Sequence, residues 1–580
     1  MRKTLLLLLL LAAIAAAGTW WYLGRDRIDP DAPLAFVPAD TPFVFASTNP
    51  PPPAAIAQWE AQMAAMGEVY ANQFADLRAM LADKPDSDPR LLAVLDAIEG
   101  EFAGKTPMQA YTDLGLSMQA QMAVYGLGLL PVARIELADA AKMHAFLGRL
   151  ADAAGDLANA ADIDGAATWT YAPPEAPLAG LIAIVGDHLV ISLLPRTADR
   201  AVQRQILGLD RPARSLADSR GLHALNREFG YIDFVSGYID SARLLDATTG
   251  EPDAIQAAFL AAIGLTKPSL DATCRGEFAA LAAAWPRMSF GYTALDARHA
   301  AARGVIETRT DIAQALMKLR APMPGLPAVD GDTLVHFGLS LKLAALPEVV
   351  HGFAKQAGDA PWQCDALKPL NDGFAQARQA ATNPGLFMAA PVFRGFHIAL
   401  TKLTLGEGGL PEDIAAVLTL GSDNPAALLG LAQSVAPQIA GAGLVPDGEV
   451  RALPPLPNQP IDAPLHAAMS EHTLALSLGE GEQTRLARAL QSNAAEQPLL
   501  VIGASARFYT LLADLMARQA ADLPADADAE TRAKLEALNT RMAREADTLR
   551  TVYANLFQRM DMRIEFTERG IELHQTVDLP

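Results

Sequence analysis

Two cysteines in 580 residues, Cys274 and Cys364, are too few for a disulfide-stapled scaffold, and neither has a nearby His or second Cys for a metal or redox motif. In an oxidising compartment two cysteines in one chain pair readily, and a loop of that length gives a bridge worth about 4 to 5 kcal/mol in the chain-entropy model. Two separate buried thiols are the alternative. Basic residues are also scarce: 46 Lys and Arg against 66 Asp and Glu leave a formal net charge of −20. A surface of that sign repels phosphate backbones and anionic headgroups, which argues against a nucleic-acid partner. Beyond the N-terminus no second uncharged run approaches membrane-spanning length, since Asp187 and His188 split the nearest one, 178–195.

Catalytic signatures are missing as well. A nucleophile elbow needs Gly-x-Ser-x-Gly, and the nearest approach, Gly503-Ala504-Ser505-Ala506-Arg507, has Arg for the second Gly. The ten histidines contain no i, i+4 pair with a carboxylate, and His466 and His472 fall on different helical faces. Residues 83–88 lack the Gly and Glu of a calcium loop, and Gly406-Glu407-Gly408-Gly409 has no Lys to hold a phosphate. Asp233 and Asp240 lie among Phe229, Tyr231, Phe234 and Tyr238, where paired carboxylates could serve a glycosidase, although strand aromatics usually belong to a core. No catalytic, cofactor or metal residue is therefore assigned, and no cofactor is expected.

The N-terminus does carry a signal. Arg2 and Lys3 precede residues 4–24, which hold no charge, and Trp20, Trp21 and Tyr22 stand just before Arg25 and Arg27. About 20 apolar helical residues span a bilayer core, with aromatics and arginines at the far interface. The small residues Ala15-Ala16-Ala17-Gly18 offer the alternative of signal cleavage. The basic start favours a cytoplasmic N-terminus, so the bulk of the chain is expected outside the cytoplasm, held by one span in a bacterial inner membrane or released to the periplasm.

The rest alternates strand-like and helix-like segments, and the second half repeats the order of the first. Asp40-Thr41 before a Phe-rich strand is matched by Asp332-Thr333 before Leu334-Val335-His336-Phe337, and 132–137 with its following helix by 415–420 and a helix from Pro425. Residues 188–193 resemble 473–478, Ser241-Ala242-Arg243 recurs as Ser505-Ala506-Arg507, and the strand pair of 289–308 is answered by 563–577. The expected fold class is α+β: an N-terminal transmembrane helix over 1–27, then two similar α+β halves, 28–320 and 321–580, with antiparallel sheets and long helices, related by tandem duplication. Their join is placed in the Pro- and Gly-rich stretch 320–330. A Cys274–Cys364 bridge would tie the halves together. Helices are expected from Pro53, where Met63, Met66 and Met80 recur, and over 526–558, whose Leu535, Leu538, Met542, Leu549, Tyr553 and Phe557 form one apolar stripe.

The segment Leu34-Ala35-Phe36-Val37-Pro38-Ala39-Asp40-Thr41-Pro42, followed by a strand and a long helix, resembles a loose group of uncharacterised bacterial envelope proteins with a signal segment and a Pro-Ala-Asp-Thr box. The resemblance implies an envelope location and no established activity. In the box, Pro38 is expected to stiffen the approach and Asp40 to cap the turn. The expected function is non-enzymatic binding or scaffolding of an envelope protein or lipid partner. A carrier of an apolar ligand such as lipid is the alternative, and a hydrolase of unrecognised type the third possibility.

Overall fold

The computed structural model describes residues 33–82, 88–173, 175–265, 270–382, 392–406, 411–455, 463–491, 495–518 and 528–580. The expected span, with Trp20, Trp21 and Tyr22, lies outside them; among the described residues no helix is long and apolar enough to cross a membrane. The chain is α+β with extensive antiparallel pairing, and it divides into two compact units at Gly304/Val305. The division precedes the 320–330 stretch because the helix Thr310–Met317 packs on the two last strands of the second unit. Cys274 and Cys364 are both disulfide-bonded.

In the first unit the strands are β1 Phe43–Ser47, β2 Met122–Leu127, β3 Leu130–Glu136, β4 Ala158–Ile163, β5 Ala166–Tyr171, β6 Leu178–Val185, β7 His188–Pro195, β8 Val235–Asp240, β9 Arg287–Leu295 and β10 His299–Glu307, which crosses the boundary. Their order is β10-β9-β8-β1-β2-β3-β7-β6-β5-β4, with every pair from β9 to β4 antiparallel. Gly186, at φ +61°, supplies the left-handed residue that turns β6 into β7. After β3, Asp139 caps the helix Ala140–Ala154, whose Met143, Leu147 and Leu150 recur at helical spacing and are buried with Trp169 and Ile191 in the main core.

The second unit contains β11 Val335–Ser340, β12 Gly395–Leu405, β13 Pro411–Gly421, β14 Arg451–Leu453, β15 Leu465–Met469, β16 Thr473–Leu478, β17 Leu500–Ser505, β18 Arg559–Thr567 and β19 Gly570–Asp578. Their order is β19-β18-β17-β11-β12-β13-β16-β15-β14. Apart from β4, each strand of the first unit has a counterpart here in the same relative place. The register agrees too: Val44 faces Tyr125 and Tyr238, and His336, two residues into β11 as Val44 is into β1, faces Ala399 and Gly503. Backbone bonds repeat at both ends of the first strand. Asp240 N donates to Pro42 O and Thr48 N to Phe234 O, while Ser505 N donates to Leu334 O and Ser340 N to Leu499 O.

Four of the five matched segment pairs fall on counterpart elements. The fifth, Ser241-Ala242-Arg243 against Ser505-Ala506-Arg507, is one residue out of register, because Asp240 is the counterpart of Ser505, and 132–137 is two residues out against 415–420, because Val417 is the counterpart of Val132. In the Pro-Ala-Asp-Thr box Asp40 is exposed, and the buried residue is Thr41, whose hydroxyl donates to Gly126 O and accepts from Gly126 N. The helix begins at Pro53 as expected, but it breaks into Pro53–Ala65 and Gly67–Ala82. Met63 packs against the main core and Met80 is exposed. The 526–558 stretch runs as Ala529–Thr548, a π turn Leu549–Tyr553 and Ala554–Leu556. Its stripe is buried only towards the C-terminal end: Leu538 is exposed, whereas Tyr553 stacks on Tyr509 at 4.7 Å and Phe557 is buried.

Candidate functional site

Strand alternation puts Val44, Ala46, Tyr125 and their counterparts on one face of each sheet, and Phe43, Phe45 and Val124 on the other. The first of these faces holds buried polar groups in both units, at neighbouring positions but with different residues.

In the second unit, His336 (β11) and His397 (β12) are almost fully buried. His336 Nε2 lies 2.9 Å from Asp561 Oδ1 and its Nδ1 3.1 Å from His397 Nε2. Arg559 closes the chain with a forked contact, its Nε and Nη2 donating to the two oxygens of Asp561 at 2.6 and 3.0 Å. Burial pushes the Asp561 carboxyl up, but hydrogen bonds from His336 and Arg559 outweigh it and hold the group below the usual carboxylate range. Burial above all drives His397 down to about 3, so it stays neutral. An ionised Asp561 accepts from His336 Nε2–H, which leaves Nδ1 to accept from His397 Nε2–H. Two glycines make the space. A Cβ on Gly503 would overlap Asp561 Oδ1 and His336 Nε2, and one on Gly338 would press on His397 Cδ2 at 2.7 Å.

In the first unit the counterparts of His336, His397 and Asp561 are Val44, Ala123 and Ser289. Polarity moves to Arg134, opposite Ala123 on β3, with no exposed surface. Its Nη2 donates to Leu207 O at 2.6 Å and its guanidinium lies 3.7 Å from the Phe36 ring centroid, while Nε and Nη1 are buried without a hydrogen-bond partner. Burial lowers its pKa and raises that of the neighbouring Tyr125. His188 meets the other side of this cluster, its ring 5.3 Å from Phe36 and its Nδ1 2.9 Å from Asp187. Burial, then the Arg134 charge, brings it down to about 4.

A third cluster lies on the β18–β19 hairpin. Glu565 and Glu572 face each other across it, and His574 Nε2 lies 3.0 Å from Glu565 Oε1 and 3.5 Å from Glu572 Oε2. Hydrogen bonding to Glu565, then to Glu572, raises His574 to about 9 against the effect of burial.

The residues singled out in the sequence have structural places. Asp233 accepts from Asn226 Nδ2 at 2.9 Å ahead of β8, and Asp240, the last residue of β8, caps the helix Ser241–Thr249. Ser505 does sit between a strand and a helix, but it is buried and its hydroxyl donates to Leu334 O. His466 lies in β15 and His472 in the turn to β16. Asp88 caps the helix Pro89–Phe102, while 83–87 and 407–410 fall outside the described residues.

On the opposite face, large apolar side chains stand open to solvent at counterpart places. Phe45 is 37% exposed and Phe337 38%, with Met288 and Ile398 above 40%. Around Phe337 the paired residues Ile398, Ile502, Phe396 and Leu339 continue the apolar surface. Compared with protein-family models, curated proteins and solved structures, the chain matches none.

Proposed function

We propose that this chain is a membrane-tethered, extracytoplasmic binding protein without a catalytic role, formed by tandem duplication, and that the apolar sheet face in each unit receives the acyl chain of a lipid. Strand order, shared register and the repeated closing bonds of β1 and β11 support the duplication.

The observation that carries the binding reading is Phe45 and Phe337, one strand position in two units, both over a third exposed, with the exposed Ile398 paired to Phe337. Burial of apolar surface is worth about 25 cal/mol per Å². Proteins seldom leave contiguous apolar surface bare at a repeated place unless something covers it. Lipid is the favoured occupant because of the sequence ahead of Pro33. An apolar run over 4–24 held in the bilayer leaves eight residues, 25–32, which reach at most about 30 Å from it. A net charge of −20 opposes adsorption to anionic headgroups, so a single extracted lipid fits better than the membrane surface. The envelope location implied by the Pro-Ala-Asp-Thr box agrees.

The test is mass spectrometry of lipid co-purifying with the full-length chain, beside a Phe45→Glu/Phe337→Glu variant. Lipid on the wild type and its loss from the folded variant is the expected result. Lipid-free wild type, or equal lipid on both, overturns the reading. Photo-cross-linking from position 337 separates the scaffold alternative, in which a protein rather than a lipid is captured reproducibly.

A further inference from the structure

We propose that Glu565, Glu572 and His574 form a binding site for a divalent transition-metal ion of the zinc type. One ligand atom from each of the three residues can be chosen so that all lie within 4.8 Å of one another. Donors around a tetrahedral zinc, with bonds of about 2.0 to 2.1 Å, are separated by about 3.3 Å. The distances from His574 Nε2 to the two carboxylates, 3.0 and 3.5 Å, bracket that value. A nitrogen with two carboxylate oxygens suits zinc better than calcium or magnesium, which prefer all-oxygen sets. Three protein ligands leave a fourth position for water.

The state of the donors points the same way. Glu572 is 4% exposed although it faces Glu565 directly across the hairpin, and like charges opposite one another in a strand pair are destabilising. His574 Nε2 is closed to solvent and lies 3.0 Å from Glu565 Oε1 and 3.5 Å from Glu572 Oε2. The atom is therefore aimed between the two carboxylates, where an ion would sit. Thr567 Oγ1 donates to Glu572 Oε1 at 2.9 Å, which orients the carboxylate and leaves Oε2 turned to His574, as an outer-shell partner does in metal sites. Nothing in the membrane-tethered binding reading requires this site, and the two stand or fall separately.

Zinc chloride is the probe. The full-length chain, without a polyhistidine tag and stripped with chelator, is expected to take up about one zinc per chain in equilibrium dialysis. The isosteric variants Glu565→Gln and Glu572→Gln, and His574→Asn, should each weaken uptake by about tenfold or more. Glu480→Gln, at an exposed residue elsewhere, should not. Wild-type crystals soaked in zinc should give an anomalous peak at the zinc edge between the three side chains, a readout that needs no variant to fold. No uptake by the wild type, uptake that survives His574→Asn, or an anomalous peak elsewhere only would overturn the proposal and leave an ion-paired histidine.

Discussion

His336 Nε2 reaches Asp561 Oδ1, 2.9 Å away, across strand β17, which contributes at the crossing only Gly503, paired to both residues. The first unit fills the same three positions in reverse, with Tyr238 in the middle between Val44 and Ser289. One arrangement has large flanks and a bare centre; the other has a large centre and small flanks. Interiors close-packed like crystals allow either arrangement but not a mixture.

His336→Val and Asp561→Ser, which install the residue types of the first unit, therefore should not behave additively. His336→Val strands the carboxylate, and Asp561→Ser strands the imidazole. Because Asp561 is about a third exposed, solvent offsets part of the loss, and the coupling in a double-mutant cycle should be about 1 to 2 kcal/mol. Urea denaturation of the four chains measures it. Strict additivity would mean that the contact carries no stability.

Gly503→Ala places a methyl group where Asp561 and His336 meet, and should cost about 1 to 3 kcal/mol through displaced side chains. Gly358→Ala is the contrast. Gly358 is helical with nothing near its absent Cβ, so alanine should stabilise by about 0.5 to 1 kcal/mol through helix propensity. Denaturation midpoints that move together rather than oppositely would refute the packing account.

The strands and helices were legible in the chain because each carries its own local signal. β6, β7 and the helix Ala140–Ala154 follow from apolar spacing, from Gly186 and from the cap at Asp139. The order of segments matched between the two halves was read from the same local signals. The polar network was not. His336 and Asp561 are far apart in sequence, each in an apolar-looking strand, and only the pairing of β11, β17 and β18 joins them. Glu565, Glu572 and His574 escaped a search for helical His pairs because their spacing belongs to a hairpin, where cross-strand partners replace i, i+4 neighbours. The capping role expected of Asp40 passed to Thr41 because a hydroxyl can both donate and accept, and Gly126 needs both.

Acid should loosen both units. His397 at about 3 and His188 at about 4 lie below the 6.5 of a free histidine, in each case chiefly through burial. Above pH 6.5 neither the folded nor the unfolded form is protonated there, and the two groups contribute nothing to pH dependence. Below 6.5 the unfolded chain binds protons that the folded one refuses, so stability falls with pH, by up to about 1.4 kcal/mol per pH unit for each histidine. The fall continues to about pH 4 for His188 and about pH 3 for His397. Thermal midpoints between pH 7.5 and 5 should decline, and His397→Gln should flatten part of the slope. A wild-type midpoint constant over that range would contradict the burial argument.

Arg134 tests whether a buried charge in the first unit is there for stability. It is enclosed, it makes one short bond to Leu207 O and interacts with Tyr125, and its Nε and Nη1 find no well-aligned hydrogen-bond partner. Desolvating a guanidinium costs several kcal/mol, and one carbonyl with a ring face returns only about 2 to 4 kcal/mol of that. Arg134→Met keeps most of the side-chain volume and removes the charge, so it should fall within about 1 kcal/mol of the wild type or exceed it. Arg134→Ala opens a cavity beside Phe36 and Gly208, and should cost about 3 kcal/mol. If urea denaturation shows methionine to be as damaging as alanine, the guanidinium itself holds the first unit together, and the volume argument fails.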